Sequence, residues 1–160
     1  MGWFRPCEIL VITSNEELLI VHQITFIIHE QARLADENRP VEQAACFTED
    51  AIANYYGEEI HGREKIYNLL LPALTKWIAS CHSISNVQVT VNDTESATSL
   101  SYVHAWHRVD PTGEDDYEVR GQYHDEWIRS EVGWRISKRT FLTMAATPPR
   151  PDAPGINRLA

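Results

Sequence analysis

Near residue 80 the spacing of apolar residues in this 160-residue chain changes from helical to strand-like, and this switch constrains the fold more than any other feature. Upstream, apolar residues recur every three to four positions; downstream they alternate with polar ones. The segment 13–40, TSNEELLIVHQITFIIHEQARLADENRP, predicts one long helix. Ser14 with Glu17 fits a capping box, and Val21, Ile24, Ile28 and Ala35 share a face flanked by Ile20, Ile27 and Leu34. Pro40 is expected to close it. A short helix is expected around 41–47, a hairpin over 51–60 with its turn at Gly57, and a third helix over 62–80, kinked or restarted at Pro72.

From His82 onward the pattern predicts strands at about 82–92, 97–109, 117–130 and 133–144. Their connections (NDTES, VDPTGEDD and SEVG) are short and turn-like, so the strands should be sequential antiparallel neighbours. Helices followed by a strand meander imply an α+β domain: a curved sheet with the N-terminal helices on one face, enclosing a conical cavity suited to a small apolar ligand. The domain is expected over 15–147, with 1–14 as an N-terminal extension and the Pro-rich 148–160 as an irregular tail.

Charge and cysteine usage remove several function classes. A net charge of −9 and a pI near 5.2 argue against a nucleic-acid surface, which needs Lys/Arg patches. No run of about 18 apolar residues exists, so no membrane span is expected. The start MGWFRPCEILVI makes a poor signal peptide, because its apolar run is short and Glu8 adjoins it. Cys7, Cys46 and Cys81 are odd in number and lack metal-ligand spacing, which fits free thiols in a reducing, cytoplasmic compartment. No metal site is expected: HEQAR at 29–33 lacks a second histidine, and His104 and His107 would face opposite ways on a strand. There is no Gly-rich phosphate loop and no nucleophile elbow, and no cofactor is expected.

His82 opens the first long strand, and local sequence leaves three roles for it: a packed polar residue, a metal ligand, or an acid–base group. In strand 97–109 one face carries Val103, Ala105, His107 and Val109, the other Leu100, Tyr102, His104 and Trp106. Both faces hold apolar residues, so periodicity alone does not choose the inner one. In strand 117–130, Val119, Gly121, Tyr123, Asp125 and Trp127 share a face; in the last strand Arg139 is expected to share one with Ser137 and Phe141.

The ordered set ITFIIHEQARLADENR…FTEDA, HGREKI, CHSISNVQV and GQYHDEWIRSEVGWRISKRTFL resembles the SnoaL-like group of the NTF2-like superfamily over roughly residues 15–144. The resemblance implies a cone-shaped α+β barrel. Within that group, Asp36, Tyr55, His82 and His107 fall at positions matching the motif of scytalone dehydratases, which implies that His107, Val103 and Ala105 face inward. The chain departs from that motif at Ala35, where a tyrosine is expected, and at Tyr123 or a neighbour, where an asparagine is expected. Asp36, His82, Asn86 and Arg139 also resemble hexachlorocyclohexane dehydrochlorinases, but Gln31 replaces the motif lysine that could hold a leaving chloride. Bile-acid dehydratases of similar fold likewise use an Asp–His pair with an arginine.

The resemblance implies a cofactor-independent lyase (a dehydratase) or isomerase. Asp36 would orient His82; His82, with His107, would move the proton; Tyr55, Tyr123 and Arg139 would bind or polarise substrate beside Val103, Ala105 and Val119. The substrate class implied is a polycyclic, terpenoid, steroid, polyketide-like or aromatic compound. A competing resemblance, through HEQARLADENR, ISNVQV and KRTFL, is to the structural β subunit of aromatic-ring-hydroxylating dioxygenases; a plain small-molecule binding domain is a third reading. With His107 inward, Leu100, Tyr102 and Trp106 would form an outer apolar stripe, from which a homodimer or homotrimer is expected.

Overall fold

The computed structural model describes residues 12–149, so most of the N-terminal extension and of the Pro-rich tail lies outside the described residues. Helix α1 spans Asn15–Asp36 and is capped by the Ser14 hydroxyl, which accepts the Glu17 N–H at 3.1 Å. The Glu17 carboxylate reaches back one residue further than a standard capping box, to the N–H and hydroxyl of Thr13. The helix buries Ile20, Ile24, Ile28, Gln31, Leu34 and Ala35, while Val21 is only half-buried. It ends before Pro40 acts: Asn38 turns the chain with φ 53°, and Pro40 instead opens helix α2, Pro40–Ala44.

Strand β1, Phe47–Tyr55, begins where the short helix was expected to continue. A two-residue turn, Tyr56–Gly57, has positive φ at both positions and returns the chain into β2, Glu58–His61, as a type I′ hairpin demands. Helix α3, Arg63–Lys76, contains Pro72 without restarting and stops at Trp77, which is already extended. Four long strands follow: β3 Ala79–Val91, β4 Ser96–Arg108, β5 Tyr117–Ser130 and β6 Gly133–Thr147.

The six strands form one mixed sheet in the order β2-β1-β6-β5-β4-β3. The β3–β6 meander is antiparallel as expected, and β1 joins it in parallel against β6. The sheet stays open, because its edge strands β2 and β3 do not pair. Helix α1 lies against β3, and α3 packs on β1 and α2. One end of the interior is filled by Ile20, Ile24 and Ile28 with Phe47, Ile66, Trp127, Trp134 and Ile136; the buried Trp127 indole donates to the Ser99 hydroxyl at 2.9 Å. The other end, around Val103, Ala105, Val119 and Phe141, is left hollow.

Two bulges set which residues face that interior. On β3 the register shifts between Ser85 and Gln88, with Asn86 in the left-handed region at φ 50°. The extra residue brings His82 and Ile84 onto the same face as Val87, Val89 and Val91, whereas strict alternation would oppose them. On β6, Ser137 is the extra residue between partners of Glu126 and Trp127, and its hydroxyl donates to the Glu126 carbonyl. This corrects the expectation that Arg139 and Ser137 share a face: Ile136 and Arg139 are both buried, and Ser137 is turned aside between them.

On β4, Val103, Ala105 and His107 face in, and Leu100, Tyr102 and Trp106 form a half-buried outer stripe. Trp106 is partly covered within the chain: its indole donates to Asp116 and the Arg108 guanidinium lies 5.1 Å from its ring centre. Among the described residues no helix is long and apolar enough to cross a membrane.

Candidate active site

The hollow end of the sheet encloses a cavity of about 440 Å³. His82, His107, Tyr55, Tyr123, Arg139, Val103, Ala105 and Val119 all line it. Asp36 does not; it lies behind His82, at the last turn of α1.

The contact between Asp36 and His82 follows from the place of β3 at the sheet edge, where alternate N–H groups point away from β4. The N–H of His82 donates to Asp36 Oδ2 at 3.0 Å, the His82 ring nitrogen Nδ1 lies 2.7 Å from Oδ1, and the Ser80 hydroxyl donates to Oδ1 at 3.2 Å. Burial pushes the Asp36 carboxyl up, but the two bonds from His82 and that from Ser80 outweigh it and hold the group below the usual carboxylate range. A carboxylate can only accept, so Nδ1 carries a hydrogen, and in the neutral ring the lone pair is on Nε2.

His107 stands across from His82, with ring centres 5.3 Å apart and planes nearly perpendicular. Its Nδ1 donates to the Tyr117 carbonyl at 3.3 Å, and the Trp77 ring lies 4.7 Å from its own. Burial, with the His82 charge adding to it, lowers its pKa to about 4, so the ring is neutral near pH 7. A neutral His107 accepts a hydrogen bond at Nε2 but is a poor proton store.

Arg139 is engaged on every side. Its Nε and Nη2 donate to the two Asp125 oxygens at 2.7 Å each, and Nη1 donates to Gln31 Oε1 at 2.6 Å. The guanidinium stacks 4.2 Å from the centre of the Tyr123 ring, and burial pushes the Tyr55 and Tyr123 phenols up. Asp125 and Gln31 are thus structural partners of the site that the chain's pattern did not single out. Trp77, Tyr117 and Phe141 are further missed walls, joined by Leu70 and Leu74 of α3. A tryptophan directly between a helix end and the strand carrying His82 was the available signal for Trp77.

Comparison with known proteins bears on this geometry. The SnoaL-like domain model matches residues 16–140. A candidate scytalone dehydratase of Novosphingobium aromaticivorans DSM 12444 superposes with a TM-score of 0.84 at 25% identity, covering 92% of this chain and 100% of that one. Hexachlorocyclohexane dehydrochlorinase type 3 of Novosphingobium barchaimii LL02 gives 0.72 at 17% identity, covering 89% and 97%. A candidate aromatic ring hydroxylase of Novosphingobium aromaticivorans gives 0.68 at 22%, covering 78% and 88%. No curated protein matches the sequence significantly. Identities this low in the last two cases speak for the fold alone, a cone of α+β type, whereas the family match runs from the start of α1 into β6: the chain belongs to the SnoaL-like domain family.

Proposed function

We propose that this protein is a cofactor-independent lyase, a dehydratase, or an isomerase acting on a small apolar carbonyl or hydroxyl compound, with His82 as acid–base residue and Asp36 as its orienting partner. One observation carries the reading: the 2.7 Å contact of Nδ1 with a charged carboxylate leaves Nε2 of a cavity-lining histidine free to take a proton. The low-identity likeness to dehydratase-type proteins supports the same reaction class.

In this mechanism Nε2 removes a proton α to a carbonyl, and the developing imidazolium is stabilised by Asp36. His107, neutral, accepts a hydrogen bond from a substrate hydroxyl, and the Tyr55 and Tyr123 phenols, kept protonated by burial, donate to the enolate oxygen. Returning the proton to the β-hydroxyl completes a dehydration; returning it to another carbon completes an isomerisation.

The test needs no known product. In D2O, with a panel of cyclic ketones bearing a β-hydroxyl, the protein is expected to exchange α-hydrogens, read by proton NMR, and His82→Gln to abolish exchange. Exchange that survives His82→Gln, or its absence across the panel, refutes the assignment. A structural subunit or a plain binding domain has the same fold without proton transfer, so absence of exchange favours those readings. Self-association through the outer stripe of Leu100, Tyr102 and Trp106 belongs to the same proposal; a monomer by mass measurement at micromolar concentration counts against it.

A further inference from the structure

The cavity contains a single arginine, and that arginine is spent. Apart from its tyrosines, the ionisable residues lining it are Glu58, His82, His107 and Arg139. Arg139 gives two nitrogens to Asp125 and the third to Gln31, and the pair is buried to 4% and 2% exposure, so the arginine that lines the cavity has its charge matched by a carboxylate. Asp36 adds a second carboxylate behind His82, and Glu58 places a third at the exposed rim. Leaving the two histidines aside, the formal charges around the cavity are three negative (Asp36, Glu58, Asp125) and one positive (Arg139).

We propose that this cavity admits uncharged ligands and turns anionic ones away, and that any elimination run in it expels water rather than an anion. The proposal rests on the acid–base reading of His82 only in its second half. A bound carboxylate, phosphate or thioester-linked anion would meet net negative potential with no unpaired cation to offset its lost hydration. A leaving halide or carboxylate would meet the same field as it formed. Water has no such need. His82 Nε2 takes the α-proton, the electron pair of that C–H bond forms the C=C bond, and the C–O bond breaks. The departing hydroxyl takes the proton from His82 Nε2–H, so that water leaves and the histidine returns to neutral. Six aromatic rings, those of Tyr55, Tyr56, Trp77, Tyr117, Tyr123 and Phe141, line the same space and suit a flat ligand.

An isosteric pair of probes isolates charge. 2-Naphthamide and 2-naphthoate have the same shape and differ by one negative charge at neutral pH. By calorimetric titration of the whole protein, the amide is expected to bind at least about tenfold more tightly than the carboxylate. Equal or tighter binding of the naphthoate overturns the proposal, as does failure of both probes to bind. Asp125→Asn, which releases Arg139 from its carboxylate, is expected to narrow or reverse the ratio. Because that variant leaves a buried cation and is expected to lose stability, Glu58→Lys at the exposed rim is the second arm, again expected to shift the ratio toward the naphthoate; an unchanged ratio in a folded Glu58→Lys protein also overturns the proposal. These readings involve no turnover, so they stand or fall separately from the exchange assay on His82.

Discussion

Replacing Asp125 by Ala leaves the Arg139 guanidinium buried without its carboxylate. The pair is held by two charge-assisted hydrogen bonds of 2.7 Å, and neither side chain reaches solvent to an extent that could relieve the loss. Breaking a buried ion pair from one side costs about 3–5 kcal/mol, because the surviving charge keeps its desolvation penalty and loses its partner. Against a domain stability of roughly 5–15 kcal/mol this is a large fraction, and at about 2–4 °C per kcal/mol it corresponds to a melting point lower by roughly 6–20 °C. Removing both charges should cost far less. Asp125→Leu with Arg139→Met leaves Gln31 Oε1 and the Tyr55 hydroxyl without the Arg139 donor, while Gln31 Nε2 keeps its bond to the Gln43 carbonyl. That double variant is expected within about 2 kcal/mol of the parent. Equilibrium urea unfolding followed by circular dichroism measures Asp125→Ala, the single variants Asp125→Leu and Arg139→Met, and the double variant against the parent. If Asp125→Ala costs less than about 1 kcal/mol, or if the double variant is as costly as the two single losses added together, the surviving buried charge is not what destabilises the single variant and the reasoning is wrong.

Four further outcomes are expected. His82→Gln and Asp36→Asn should each remove most of any exchange activity while the fold persists, and the double variant should be little worse than the worse single one, as for residues acting as a unit; additive losses would refute the pairing. His107 binds its proton in the folded state only near pH 4, against 6.5 when free, so the unfolded chain holds more protons between those values and stability falls as pH drops from about 6.5 toward 4. The loss is on the order of 2–4 kcal/mol, and His107→Phe should flatten that part of a stability–pH curve measured in urea. Asn86→Val should destabilise by roughly 1–2 kcal/mol, since a β-branched residue resists φ 50°, while Asn86→Gly should be close to neutral; equal effects would mean that the bulge does not depend on backbone conformation at Asn86. Gly121→Ala would bring a Cβ to 2.5 Å from the Leu142 carbonyl oxygen and from the Phe141 ring, so a loss of roughly 1–3 kcal/mol and weaker 2-naphthamide binding are expected, read by urea unfolding and calorimetry.

Local pattern carried the elements themselves. The spacing of Ile20, Ile24 and Ile28 determined α1, and the alternating valines and the short turns after residue 80 determined an antiparallel meander. The motif order in the chain pointed to the family, and with it to inward-facing Val103, Ala105 and His107 on β4, whose alternation is unbroken. Only the tertiary structure decided phase, partnership and charge. His82 is an odd number of residues from Val87, so plain alternation sets them on opposite faces; the bulge at Asn86 re-phases the strand, and its register is set by pairing with β4, which alternation within the strand does not encode. Ser137 does the same on β6, turning Arg139 inward alongside Ile136. The parallel pairing of β1 with β6 joins segments far apart in the chain, which no local periodicity encodes. The state of Arg139 is of the same kind: it is neutralised by Asp125 on the neighbouring strand and held by Gln31 on α1, 108 positions away, so whether that arginine was free to hold a substrate or a leaving anion depended on contacts that exist only once helix and sheet have packed together.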